Sequence, residues 1–387
     1  MPLAGLTGTL TFENFIDILK VYHKESNDEI RILAYVSDLM PQVLFDMIRR
    51  SPIFNVTDLG DIIEVKADKA DNINSKSDEE TVTLSYEDES KRNNNGNTSV
   101  YYCHYNHKRG LLLCFTSDTL EDAGRTMDRF VGHTKGIFPL WIHPVTFDRI
   151  RRQILNNNPN SIISEFHASR FRTNNEDVIR DNYEQRYFKY LGDDGRYALD
   201  ELSSPYGVLP TSIVFNILNV YKFRITTAGR FAFAHGSLDF LFDTINEILS
   251  KVLETKAVIQ RAKIEFIPVN MGRKEIKLPK VVPLDIVFSR EVEFTEMEKL
   301  IDNMTGEDFN FDIFDMSLIS GSIHLSGTII DKNKNIAFNI TGNSEKITLS
   351  PRKDTGFDSM MRFYKMISER LDVKAEVKAP ANPIVNR

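Results

Sequence analysis

The chain has 387 residues, of which 41% are apolar, 27% charged and 10% aromatic, the composition of an ordinary globular protein. That excludes collagen-like, mucin-like and wholly disordered classes. Apolar runs such as 110–115 fall far short of the roughly 20 residues that span a bilayer, and two cysteines exclude a disulfide framework.

The formal charge is −7, which on its own argues mildly against a polyanionic ligand. Its location changes that reading. Residues 68–89 hold eight acids and two lysines. Without them 46 basic and 47 acidic side chains remain, a net of −1. The acidity is therefore local, and the rest of the chain is nearly neutral. No charged-then-apolar leader opens the chain, so the expectation is a cytoplasmic protein with no signal peptide and no membrane contact.

Taken in order, residues 7–11 read as a strand. Phe12, Phe15, Ile16, Leu19 and Tyr22 recur at helical spacing. Residues 30–36 read as a second strand. Asp38 is placed to cap a helix carrying Val43, Leu44, Met47 and Ile48, and 62–65 is a further strand. Residues 66–77 and 86–97 read as loops around a short strand at 81–85, because they offer too little apolar surface to pack.

A hairpin is expected next, with strands at 100–105 and 111–115. If its turn centres between Lys108 and Arg109, Cys103 and Cys114 lie opposite each other as two buried, reduced cysteines. Asp118 would then cap a helix with Leu120, Ala123, Met127, Phe130 and Val131 on one face. Trp141 should pack in the core, with His143 and Pro144 connecting to a helix over 146–155. Residues 192–195 form a turn. Strands at 223–226 and 230–234 precede a helix that Ser237 caps. Four strands are expected at 318–325, 327–331, 336–341 and 344–349, before a helix carrying Phe357, Met360, Met361, Tyr364, Ile367 and Leu371.

A glycine, a strand and an amphipathic helix thus recur from Gly110, Gly229 and Gly342, which duplication or convergence explains equally well. The expected fold is α+β, with repeated antiparallel strand-plus-helix layers in two or three domains. Its divisions are 1–66 as a small mixed domain, 67–98 as an acidic mobile region and 99–267 as a central domain. A C-terminal sheet with a closing helix takes 268–372, and 373–387 is a flexible tail.

Complete catalytic motifs are absent. There is no phosphate-binding glycine loop, no nucleophile elbow and no His-Glu-x-x-His helix. Neither a cofactor nor a resident metal is expected. The strongest functional signal is basic. Arg149, Arg151 and Arg152 share one helix, and Arg170, Arg172, Arg186 and Lys189 follow, interleaved with Phe171, Tyr183, Tyr187 and Phe188. Arginine beside aromatic rings suits phosphate contact and base stacking. Arg273, Lys274, Lys277 and Lys280 form a second strip, expected on a loop.

The sequence therefore points to a non-enzymatic binding protein that contacts nucleic acid or serves as a subunit of a nucleoprotein or protein complex. Two alternatives stand beside it. Glu64-Val65-Lys66 resembles half of a metal-dependent nuclease motif, in which a strand carboxylate holds Mg²⁺ and a lysine steadies the attacking water. A purely structural assembly subunit would lose nothing in nucleic-acid affinity when Arg149, Arg151 and Arg152 become Ala.

Overall fold

A computed structural model describes residues 6–26, 28–68, 98–119, 122, 124–171, 187–217, 220–271, 274–304, 309–319 and 323–379. The loops and short strand expected between 69 and 97 lie outside these residues. The fold is α+β, with 34% helix and 42% strand in several antiparallel sheets.

The first sheet has eleven strands. At its centre is β1 (Ile30–Ser37), an almost continuous apolar run buried on both faces. On one side lie β5 (Leu111–Thr116), β4 (Thr98–Asn106), β3 (Ile62–Asp68) and β2 (Phe54–Asp58) in that order. On the other lie β11 (Arg230–His235), β10 (Tyr221–Thr226), β9 (Val208–Ile217), β7 (Ile162–Arg170) and β8 (Tyr187–Leu191). The short β6 (Ile137–Pro139) pairs with the end of β1. Strands from both sides of the expected break at 67–98 pair directly, since Val65 faces Tyr101 and Ile63 faces Cys103.

Alternation along the strands fills two layers. Phe215, Phe223, Phe231 and Phe233 point to one face, where α1 (Phe12–Ser26), α4 (Pro144–Asn157), α5 (Gly195–Tyr206) and α6 (Leu238–Ile259) cover them. Each such ring is worth roughly 1.5–3 kcal/mol in area removed from water. Leu33, Tyr35, Val65, Tyr101, Cys103 and Cys114 point the other way. There α2 (Pro41–Arg50) and a π turn (Gly124–Asp128) leading into α3 (Arg129–His133) close the layer.

The second sheet has six strands, ordered β15 (Phe311–Ile319), β16 (His324–Asp331), β17 (Ile336–Gly342), β18 (Lys346–Pro351), β14 (Leu284–Val287) and β19 (Glu376–Lys378). Against it lie α7 (Phe294–Met304) and α8 (Phe357–Arg370). Most of α8 is buried, because α6 packs on its other side. One hydrophobic core runs without a break from Phe15 through both sheets to Ala375, across the expected division at 267/268.

Between the sheets in sequence stands a hairpin of its own, β12 (Lys263–Met271) and β13 (Lys274–Val282), which pair only with each other. The basic strip at 273–280, expected as a loop, is therefore largely the second strand of this ribbon. Val269 faces Ile276 and Ile267 faces Leu278 across it, apolar cross-strand pairs of the kind that stabilise a strand pair.

Other expectations are corrected. Residues 7–11 form only an isolated bridge between Leu10 and Gly60, because no neighbouring strand extends the pairing. Asp38 does not cap α2, which begins at Pro41 with Met40 before it; proline's fixed φ suits that first position. The Asp118 carboxylate accepts from the backbone N–H of Val100 at 3.0 Å, and Leu120 and Ala123 of the helix expected after it lie outside the described residues. Lys66 is in β3 rather than a loop. Residues 373–379, expected in the tail, bury Val373 and Ala375 and supply β19 as a partner for β14.

The hairpin register holds. Cys103 faces Cys114 with the sulfurs 3.2 Å apart, and both are free and buried. Burial drives the Cys114 thiol well above its ordinary value, so it is a poor nucleophile. Ser37 donates its N–H to the Gly110 carbonyl at 2.8 Å. Gly110 has φ +58° and no room for a Cβ, which would lie 2.2 Å from the Ser37 carbonyl oxygen. Ser237 caps α6 by accepting from Phe240 N–H.

Trp141 is buried and meets Tyr364 edge-on at 5.5 Å between centroids, joining the first sheet to α8. His143 stacks on the same ring at 5.9 Å, and its Nε2 is buried without a partner among the described residues, although the residue as a whole is half-buried. Burial pushes its pKa down to about 4, outweighing the pull of Asp372 and Glu376. The unfolded chain protonates near 6.5 while the folded one stays neutral. Stability from this site is thus complete above pH 6.5 and is lost as pH falls towards 4. Urea titrations at both pH values should show the parent losing about 2–3 kcal/mol more than His143→Phe; parallel losses would contradict this.

Candidate functional site

Pro144 opens α4. Phe147, Ile150, Ile154 and Leu155 turn to the core. Arg151 lies four residues after Phe147 and three before Ile154, so it falls on the same face and is only 1% exposed. Its Nε donates to Asp148 Oδ1 at 2.7 Å, and its Nη2 donates to Asp200 Oδ1 on α5 at 2.7 Å. The second Asp148 oxygen takes Arg152 at 2.8 Å. Nη1 of Arg151 is buried with no partner among the described residues.

The two helices leave a cavity of about 410 Å³ between them. Arg151, Arg152 and Asn156 line it from α4, and Arg196, Asp200 and Ser203 from α5. Arg196 makes no ion pair among the described residues. Sequence reasoning missed Arg196. It opens a helix behind Gly195, and only tertiary packing brings it beside Arg152.

The expected basic residues do not form one surface. Arg149 and Arg152 are exposed on α4. Arg151 is withdrawn into the ion-paired interior, which corrects its assignment as a surface contact to nucleic acid: its helical phase forces it inward. Arg170 ends β7, half-buried. Lys189 is exposed on the edge strand β8, opposite His167. Arg172, Arg186 and Arg273 lie outside the described residues. Lys274 opens β13, and Lys277 is exposed on it. No residue of the β12–β13 ribbon lines the arginine cavity.

Beside Lys189, Glu165 on β7 accepts from Arg224 of β10 at 3.0 Å and lies 3.2 Å from His167 Nε2. The His167 contact, with help from Arg224, lowers the Glu165 pKa. This is a sheet-face ion-pair cluster.

The nuclease-like residues are engaged differently. Glu64 is 4% exposed, accepts from Tyr102 Oη at 3.1 Å and pairs with Lys66 Nζ at 2.9 Å. Asp61 accepts from the N–H of Phe12 at the start of α1, and Asp58 pairs with Arg49 at 2.8 Å. Among the described residues no three His, Cys, Asp or Glu side chains converge as a metal site would need.

Part of this region has known relatives. Residues 146–228 match a family model, AF_0896_M, described as a family middle domain. A stretch of 258 residues is 23% identical to an uncharacterized protein of Archaeoglobus fulgidus, covering 65% of this chain and 70% of that protein. Every residue lining the arginine cavity lies within the matched middle-domain segment, and the β12–β13 ribbon lies outside it. Among the described residues no helix is long and apolar enough to cross a membrane.

Proposed function

We propose that this is a non-enzymatic binding protein that grips nucleic acid with the β12–β13 ribbon, assisted by exposed Arg149 and Arg152. The observation that carries this reading is the ribbon itself. Residues 263–282 hold five basic and two acidic side chains. Phe266 is 57% exposed, and Ile267, Ile276 and Leu278 are exposed with it. Lys263 is paired with Glu265 at 3.2 Å, but Lys277 and Lys280 make no ion pair among the described residues.

A two-stranded ribbon has the width to enter the major groove of a duplex, roughly 12 Å across. Lysines along it meet phosphates, and exposed apolar side chains suit contact with thymine methyl groups on the groove floor. An isolated hairpin is marginal in water, so a bound duplex would also stabilise the ribbon. Double reversal by Lys277→Glu with Lys280→Glu should weaken binding of a duplex of about 20 base pairs at least about tenfold in fluorescence anisotropy. Unchanged affinity would refute the reading.

One observation favours a second reading, a subunit of a protein assembly. Ile267, Val269, Ile276 and Leu278 lie on one face of the ribbon as a continuous apolar stripe, and exposed stripes of this kind mark protein interfaces. On that reading Ile267→Ser with Leu278→Ser abolishes assembly, whereas Lys277→Glu on the opposite face leaves it intact.

A further inference from the structure

We infer that the cavity between α4 and α5 is a binding site for a phosphate monoester. Three arginines line it, Arg151, Arg152 and Arg196. Arg151 carries the inference. Its side chain is locked by two carboxylates at 2.7 Å, yet Nη1 is buried with no partner among the described residues. A buried donor left unpaired is costly, and charge-assisted bonds to phosphate oxygens are the strong partners for arginine.

The donor set selects the ligand class. A carboxylate presents two oxygens and an internal phosphodiester leaves two free, whereas a monoester presents three terminal oxygens to the three arginines. With Asp148 and Asp200 the three arginines leave a net charge of about +1, so the cavity takes an anion of low charge and the count of terminal oxygens, not the charge, singles out the monoester. Asn156 and Ser203 remain to meet the ester substituent. The cavity lies within the usual range of small-molecule pockets, roughly 300–1,000 Å³. The monoester has two sources, a small phosphorylated metabolite or the 5′-terminal phosphate of a strand. The inference rests on residues apart from the ribbon, so either proposal can fail alone.

Calorimetric titration of the full chain tests it with inorganic phosphate, adenosine, AMP, and a short oligonucleotide with and without a 5′-phosphate. AMP should bind and adenosine should not. Arg196→Gln and Arg152→Gln, both near the solvent side, should each weaken AMP about tenfold with the thermal midpoint held, while Lys277→Gln in the ribbon leaves AMP affinity unchanged. A 5′-phosphorylated strand binding at least about tenfold tighter than its 5′-hydroxyl form assigns the strand end. AMP binding with equal affinity for the two strands assigns a small metabolite. No phosphate-dependent heat up to about 10 mM ligand, a concentration where even a millimolar Kd saturates, would overturn the inference. So would AMP binding unaffected by Arg196→Gln.

Discussion

Lys334→Met is expected to lower the unfolding free energy by about 3–5 kcal/mol, the cost of removing one partner from a buried charge network. Lys334 sits in the turn between β16 and β17 and is buried. Its ammonium donates to the carbonyls of Val131 at 2.5 Å, Thr134, and Ile137 at 3.1 Å. Those carbonyls end α3 and begin β6, so one lysine ties the second sheet to the first. Asp358 of α8 lies 3.8 Å from it and accepts from Gly136 N–H at 2.9 Å. Asp331 beside it accepts from Arg362 and from Ser359 Oγ. Methionine fills the stem's volume but leaves three carbonyls and a buried carboxylate without their cation.

The comparison is Lys332→Met. Lys332 forms an exposed pair with Asp312 at 3.0 Å and should cost no more than about 0.5 kcal/mol. Urea midpoints at constant slope measure both. Equal losses would contradict the clasp. The site also has a pH signature. Burial pushes the Lys334 amine down to about 8, against the pull of Asp358 and Asp331, from an ordinary 10.5. Between those values unfolding takes up a proton, so this site's contribution to stability rises with pH across the window and is lost as pH falls through 8. In Lys334→Met that rise should vanish.

Asp148→Ala should cost about 3 kcal/mol for the same physical reason. Arg151 is fully buried, and Asp148 holds its Nε at 2.7 Å; removal leaves it, among the described residues, with the carboxylate of Asp200 alone. The double variant Asp148→Ala with Arg151→Met removes the buried charge as well. It should recover at least about 1 kcal/mol of that loss, because an apolar side chain of similar volume needs no counter-charge. A double variant as unstable as the sum of its parts would mean that the pair is not a coupled unit.

Much of the layer architecture was legible. Periodicity located α1, α6 and α8 and the β4–β5 and β10–β11 hairpins, because their buried positions alternate or recur without interruption. The Cys103–Cys114 register followed from counting outwards from the turn. What failed was decided by contacts distant in sequence. Nothing local shows that β1 joins β5 to β11, which makes one sheet of segments expected in different domains. The 273–280 strip reads as a loop because Pro268, Pro279 and Pro283 around it are strand breakers by composition; a two-stranded ribbon has only edges, where proline is tolerated. Arg151 could have been recognised as buried, since it sits on the stripe of Phe147 and Ile154, but its company of Arg149 and Arg152 suggested a basic surface. The cavity was not legible at all, because it needs Arg196 from a helix 45 residues further on.

The central proposal, that the β12–β13 ribbon holds phosphates, is tested most directly by duplex affinity against salt concentration. Each phosphate contact contributes about −0.9 to the slope of log K on log[salt]. The parent should show a slope of about −3 or steeper, and Lys277→Gln with Lys280→Gln should make it shallower by about 1.8, two contacts' worth. A flat response in the parent, or an unchanged slope in the double variant, would contradict the account.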